Sequence, residues 1–236
     1  MQLFYNPTIS ETSKEVVFDK EESRHISKVL RKKEGDILHL TNGKGYFFEA
    51  KLLSINPKRC VASVLTSERQ EPLSYHLHLA VAPTKLNDRY EWFLEKATEI
   101  GISEITPIIC DRSERKVIKP ERYEKIIQSA MKQSLKAYLP KLNPAISLKE
   151  FLTKDHTEKI KGIAHCEDSA KKSLKETIIP NTSILLLIGP EGDFTEKEIN
   201  LAFSEDFKPI TLGDSRLRTE TAAIVACHSV YFSLYT

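Results

Sequence analysis

Two stretches in the last third of this 236-residue chain concentrate residue types that can do chemistry. The first, Gly189-Pro190-Glu191-Gly192-Asp193-Phe194, follows an apolar run at 185–188 and leads into Thr195. Its two glycines let main chain approach a ligand closely. Its place after a strand is where parallel α/β sheets bind ligands. The second runs from Leu212 to Ala222 as LGDSRLRTETA. Gly213 and Asp214 are turn formers, and Arg216, Arg218 and Glu220 gather charge beside a segment that is otherwise apolar. Thr219 or Glu220 reads equally well as ordinary capping of a helix start. Arg218 does not, because a cation is slightly unfavourable at a helix N-terminus, so it needs another partner.

The residue types also bear on the ligand. Neither loop carries the GK[ST] of a phosphate-binding loop or the G-x-G-x-x-G of a dinucleotide fold. Glu191, Asp193, Glu196 and Glu198 would oppose an anion there. S-adenosylmethionine, a cofactor without phosphate and with a positive sulfonium, suits an acidic loop better; an ordinary β–α turn is the reading left open beside it. A third cluster, RHISKVLRKK, places Arg24, Lys28 and Arg31 or Lys32 at helical spacing, with Ile26, Val29 and Leu30 on another face. Such a basic face could neutralise RNA phosphates or be solvated surface. His25 is given no catalytic role.

The elements that must hold these residues change in kind along the chain. Short apolar or alternating runs at 3–5, 16–18, 37–40, 46–53 and 60–65 predict strands, and Asn42-Gly43-Lys44-Gly45 predicts a hairpin between two of them. A small barrel would remove their edges. After Glu71-Pro72 the pattern alternates, with strands at 76–82, 104–110, 160–165, 183–188 and 209–212. A helix over 87–100 carries Phe93, Leu94, Ala97 and Ile100 on one face and stops at Gly101. Another opens at Pro120, and Ser147 with Glu150 and Thr195 with Glu198 fit capping boxes. This alternation predicts a largely parallel sheet covered on both faces, and two domains, 1–71 and 72–236. A last helix from about Thr219 to Tyr235 is apolar all round, so it is buried in the core or in a subunit interface.

Composition sets outer bounds. The chain is 40% hydrophobic and 29% charged with a net charge of +2, so an RNA site has to be a local patch. Cys60, Cys110, Cys166 and Cys227 are scattered without metal-ligand spacing, which predicts reduced packing residues and no metal. No run is long enough to span a bilayer, and the start lacks a leader pattern, so the expected location is the cytoplasm, away from membranes.

GPEGDF followed by LGxxxLRxETA resembles the 16S ribosomal RNA uridine-N3 methyltransferase family, the RsmE type, within the SPOUT superfamily. The likeness covers the whole chain. HISKVLRKKEGD and NGKG, within His25 to Gly45, resemble that family's PUA-like RNA-binding barrel. Lys96-Ala97-Thr98-Glu99 with Gly101, then Gln133-Ser134 and Pro140, resemble its middle segment. The resemblance implies a PUA-like β-barrel followed by a SPOUT α/β domain with a C-terminal trefoil knot. It also implies a homodimer with sites at the subunit interface, and S-adenosylmethionine bound through Leu187, Gly189, Glu191, Gly192, Leu212, Gly213, Leu217 and Ala222. Arg24, Lys28, Arg31 and Lys32 would contact 16S ribosomal RNA within the small subunit. The sequence departs from the pattern at Ser215-Arg216, where many relatives have arginine followed by an aliphatic residue, and at Lys136, where arginine is usual.

Methylation of uridine N3 requires an unpaired base, loss of the imide proton and stabilisation of charge spreading to the flanking carbonyls. Arg218 is the candidate for that last task, and Glu220 or Glu191 for either proton removal or orientation of Arg218, with solvent as an alternative base. Two rivals remain at this level: a ribose 2′-O-methyltransferase of the same superfamily acting on ribosomal or transfer RNA, and a non-catalytic RNA-binding ribosome-assembly factor.

Overall fold

A computed structural model of the chain describes residues 2–167 and 170–235 and the side chains of those up to 234. It divides into two compact units, Met1–Pro72 with Met131–Leu139, and Leu73–Ala130 with Pro140–Thr236.

The first unit is built on strands β1 (Leu3–Tyr5), β2 (Glu15–Val17), β3 (Ile37–Thr41), β4 (Tyr46–Ser54) and β5 (Val61–Arg69), in the spatial order β1-β3-β4-β5-β2. Apolar residues alternate along β4, so Phe48, Ala50 and Leu52 are buried while Glu49 and Lys51 face out. Two register shifts between β4 and β5 bend the pair, as bulges do. The result is a curled half-barrel: among the described residues no pairing joins β1 to β2, so the sheet does not close as the sequence predicts. Phe4 and Phe18 meet edge to face, with centroids 5.9 Å apart, in the core it encloses.

The basic cluster departs from its expected geometry. Helix α1 (Lys20–Arg24) passes into a single π-helical turn, His25–Val29, whose closing bond runs from Leu30 N–H to His25 C=O. Arg31 then takes φ +51°, which ends the helix. The regular spacing that would align Arg24, Lys28 and Arg31 or Lys32 on one helical face is therefore absent. Val29, assigned to the apolar face, is 68% exposed, and only Ile26 is fully buried. Segment 131–139 belongs to this unit and docks by main chain: Gly45 N–H donates to Ala137 C=O at 2.9 Å, and Leu139 N–H to Gly43 C=O at 2.9 Å.

The second unit has β6 (His76–Val81), α2 (Asn87–Ile100), β7 (Glu104–Ile109), α3 (Pro120–Gln133), β8 (Lys141–Leu142), β9 (Ile146–Ser147), α4 (Leu148–Leu152), β10 (Ile160–Ala164), β11 (Lys172–Ser173), α5 (Leu174–Thr177), β12 (Ser183–Ile188), α6 (Glu196–Ser204), β13 (Lys208–Thr211) and α7 (Thr219–Tyr235). The boundary between the units falls within α3. All pairings of the sheet are parallel, in the order β11-β13-β10-β12-β6-β7-β8, with β9 added on β7. Leu185, Leu187, Ile163 and Phe194 pack with Phe151 and Phe207 on one side of it. Helix α7 buries Ala223, Ala226, Cys227 and Val230 within the unit, where it packs on α2 and β6. Ile224 and Val225 stay half-buried, and His228 and Phe232 are exposed.

Candidate functional site

The strand order decides which loops meet. Because β10 lies between β13 and β12, the carboxyl ends of all three open onto one cavity of about 890 Å³. Ala164, Ile188 and Ile210, the last or near-last residues of those strands, contribute to its wall, and each loop adds a rim. Of the residues expected to bind a cofactor, Gly189, Glu191, Gly192, Leu212, Gly213, Leu217 and Ala222 line the cavity, as does Arg218. Leu187 does not. Its side chain packs in the core, as alternation along β12 dictates, and its neighbour Ile188 lines the wall.

The loop after β12 is tied at nearly every residue. Glu191 Oε1 accepts from Lys85 N–H at 2.9 Å. Asp193 sits at φ +62° and holds it by accepting from Cys166 N–H and Phe194 N–H, both at 2.8 Å. Arg112 Nη1 donates to the carbonyls of Gly192, at 2.9 Å, and Phe194, at 3.3 Å. A Cβ on Gly189 would stand 3.0 Å from the Phe194 ring, so the main chain there is flush with the core. Thr195 and Glu198 close the capping box of α6, and Glu198 Oε1 also accepts from Asp111 N–H at 2.8 Å. Glu191, Asp193 and Glu198 thus give acceptor oxygens to main-chain amides, while Glu191 and Asp193 also line the cavity.

The loop after β13 is bare by comparison. Thr211 Oγ1 accepts from Gly213 N–H at 3.2 Å, and Gly213 needs its φ of +124°. Thr219 Oγ1 donates to Gly189 C=O at 3.0 Å, joining the two loops. Arg216 and Arg218 are exposed, and neither side chain has a hydrogen bond or ion pair among the described residues. The anionic partner that the helix start demands of Arg218 is not supplied by this chain's described residues. Glu220, expected beside Arg218, is 5% exposed and off the cavity. Its Oε1 lies 3.8 Å from Arg89 Nε, and its Oε2 has no hydrogen-bond partner among the described residues. That placement fits a group that fixes the first turn of α7 on α2 rather than a proton acceptor.

Sequence reasoning missed the third wall. His165, Cys166, Glu167 and Lys171 follow β10, and Arg112 follows β7. His165 is 8% exposed with both ring nitrogens unpartnered among the described residues, and burial followed by Lys171 keeps it below the usual histidine range. Burial, then Asp193, pushes the Cys166 thiol up, so it is no ready nucleophile. A third strand end was available as a signal, but only the strand order brings it to the other two.

Loops beyond three adjacent parallel strands, around a cavity with glycine-lined walls, define an α/β ligand-binding enzyme domain. Residues 70–231 match the RNA methyltransferase domain family, and residues 18–65 the RNA methyltransferase PUA domain family. The chain is similar to a probable rRNA-methyltransferase from Porphyromonas gingivalis, at 39% identity and TM-score 0.91, over 100% of this chain and 99% of that one. It is similar to the ribosomal RNA small subunit methyltransferase E of Neisseria gonorrhoeae, solved bound to S-adenosyl methionine, at 30% identity and TM-score 0.89, over 99% and 98%. The protein of that name from Rickettsia conorii is 30% identical over 97% of this chain and 94% of its own. The chain belongs to the ribosomal RNA small subunit methyltransferase E family.

Proposed function

We propose that this protein transfers the methyl group of S-adenosylmethionine to N3 of a uridine in 16S ribosomal RNA. The observation that carries the reading is the convergence of the loops after β10, β12 and β13 on one cavity, with Arg218 in its wall and unpaired among the described residues. The cofactor's chemistry suits the donors present. The capping box of α6 occupies the amides of Thr195 and Glu198, which a phosphate at that helix start would otherwise use. A phosphate-free adenosyl group can use main chain around Gly189 and Gly213 instead. When bound, the cofactor supplies an electrophilic methyl for in-line displacement, and the protein aligns it with the base and excludes water. Arg218 stabilises the charge that develops on the uracil carbonyls. Solvent takes the imide proton, since Glu191 is tied to Lys85 and Glu220 lies off the cavity.

Residues 1–71 are proposed as the RNA-binding module and 72–236 as the methyltransferase domain. Arg24, Lys28, Arg31 and Lys32 would contact phosphates of the small-subunit RNA from the turn that ends at Arg31. The C-terminal trefoil knot is proposed on the family resemblance alone. A homodimer is proposed from the apolar sequence of α7, on which Ile224 and Val225 stay half-buried within the unit. A cytoplasmic location is proposed as well, and no described helix is long and apolar enough to cross a membrane. No group of His, Cys, Asp or Glu among the described residues could hold a metal ion.

The test incubates the protein with labelled cofactor and small-subunit RNA, free or assembled, and identifies the labelled nucleoside by mass spectrometry. 3-Methyluridine is expected. A label on ribose would replace the reading with a 2′-O-methyltransferase, and absence of cofactor binding would favour an assembly factor.

A further inference from the structure

The cavity wall carries four cations, Arg112, Lys171, Arg216 and Arg218, and four acids, Glu167, Glu191, Asp193 and Asp214. Formal charge cancels, yet the two sets are not paired: no ion pair among the described residues joins a wall cation to a wall acid. Glu191 Oε1 and both Asp193 carboxylate oxygens accept from main-chain amides, which leaves N–H donors of the cations among the wall groups open to a ligand.

Arg112 is held across two loops, whereas Lys171 Nζ reaches only the nearby Glu167 carbonyl and the side chains of Arg216 and Arg218 make no hydrogen bond among the described residues. Arg112 Nη1 bonds two carbonyls of the loop after β12. The flat face of Gly192 lies against its stem, since a Cβ there would stand 3.2 Å from Arg112 Cβ. The main chain on either side is pinned too, with Asp111 N–H on Glu198 Oε1 at 2.8 Å and Ser113 Oγ accepting from Cys110 N–H at 2.9 Å. Two neutral carbonyls orient a guanidinium but do not neutralise it. Its Nε and Nη2 donors have no partner among the described residues. Arg112 is exposed, and a planar, permanently charged fork held at one nitrogen with two donor atoms open is suited to a carboxylate or a phosphate.

We propose that Arg112 is an oxyanion-binding residue of the cavity, clamped in place by the loop it supports. The inference rests on the methyltransferase reading, which brings two oxyanions to this wall: the carboxylate of the methionyl group of S-adenosylmethionine and a phosphodiester of the RNA. Nothing in the sequence reading singled out Arg112; its assignment comes from the contacts alone.

The experiment uses the full chain and Arg112→Gln, whose amide can still donate to a loop carbonyl but carries no charge. Calorimetry measures affinity for S-adenosylmethionine and for 5′-methylthioadenosine, which keeps the adenosyl group and lacks the carboxylate. Filter binding to small-subunit ribosomal RNA across a salt series measures counterion release. If the cofactor carboxylate is the ligand, Arg112→Gln loses about tenfold or more in affinity for S-adenosylmethionine, with methylthioadenosine changed little. If a phosphodiester is the ligand, both adenosyl affinities hold and the salt slope of RNA binding falls by about one. Equal loss of both adenosyl ligands with an unchanged salt slope makes Arg112 only a loop clamp and overturns the proposal, as does no change at all. Should Arg112→Gln not fold, Arg112→Lys replaces it: a carboxylate ligand predicts a loss for S-adenosylmethionine that methylthioadenosine does not share, a phosphodiester ligand predicts weaker RNA binding with both adenosyl affinities held, and equal loss of both adenosyl ligands again overturns the proposal. Wild-type protein that binds neither adenosyl ligand would bring down the methyltransferase reading itself, a result separate from any behaviour of the variants.

Discussion

The two loops that face each other across the cavity are built on opposite principles. The one after β12 is bonded to β6, β7 and β10 neighbours through Glu191, Arg112 and Asp193. The one after β13 holds itself by Thr211 and Gly213, and both its arginine side chains are unbonded among the described residues. A site that moves a methyl group needs both kinds of wall. A prepositioned surface fixes the cofactor without reorganisation, while cations left without protein partners can respond to charge that exists only in the transition state.

The largest expected effect tests the open wall. Arg218→Ala should lower single-turnover methyl transfer by about 10² to 10³, the scale of one lost stabiliser of transition-state charge, with cofactor affinity nearly unchanged. Arg218→Lys should recover only part, lacking the planar fork. If affinity falls in step with rate, Arg218 belongs to cofactor binding and the contrast between the walls collapses.

The fixed wall should fail through stability and affinity together. Gly189→Ala pushes a methyl against the Phe194 ring and the Phe194 amide, at 3.0 and 3.3 Å, and overpacking of this kind costs about 1–3 kcal/mol. Thermal melting and cofactor titration should both register it. Gly213→Ala meets nothing within 4 Å, so any loss there comes from the φ of +124° alone. A Gly213→Ala variant that melts like wild type would show that the second loop can adopt another backbone.

Asp193→Ala removes both acceptor oxygens from a main chain held at φ +62° and should cost about 1–2 kcal/mol, read as a lower melting temperature. The matching change in the other loop, Asp214→Ala, should leave melting unaffected, since Asp214 is exposed and makes no hydrogen bond among the described residues. Equal shifts for the two would erase the distinction.

The smallest effect concerns pH. Burial, then Lys171, depresses the folded pKa of His165, so below the ordinary histidine range the unfolded chain takes up a proton that the folded chain resists. Stability from this group is full above pH of about 6.5 and declines as pH falls toward the folded value. His165→Phe should flatten that part of the melting-temperature profile; an unaltered slope would assign it to other groups.

Much of the fold was legible in one dimension. The spacing of Phe93, Leu94 and Ala97 and the stop at Gly101 define α2 with both ends in place, because periodicity and a C-terminal glycine are local properties. The capping box Thr195–Glu198 forms as the sequence predicts, for the same reason. The turn at Arg31 was not legible: a π-helical turn places its residues by five-residue bonding, which no hydrophobic pattern reports. The return of 131–139 to the first unit was equally hidden, since Ala137 and Leu139 dock through main-chain atoms that every residue has.

At the site the same division holds. Sequence by itself determined the residues of the two C-terminal loops and that Arg218 is out of place at a helix start, because those follow from residue type and position along an element. Only the tertiary structure decided that Glu191 and Asp193 accept from main-chain amides, that Glu220 lies off the cavity beside Arg89, and that Arg112 and His165 belong to the wall. Those facts depend on which strands lie side by side. Strand order is set by packing the whole sheet, with β10 between β13 and β12, and no local stretch of sequence encodes it.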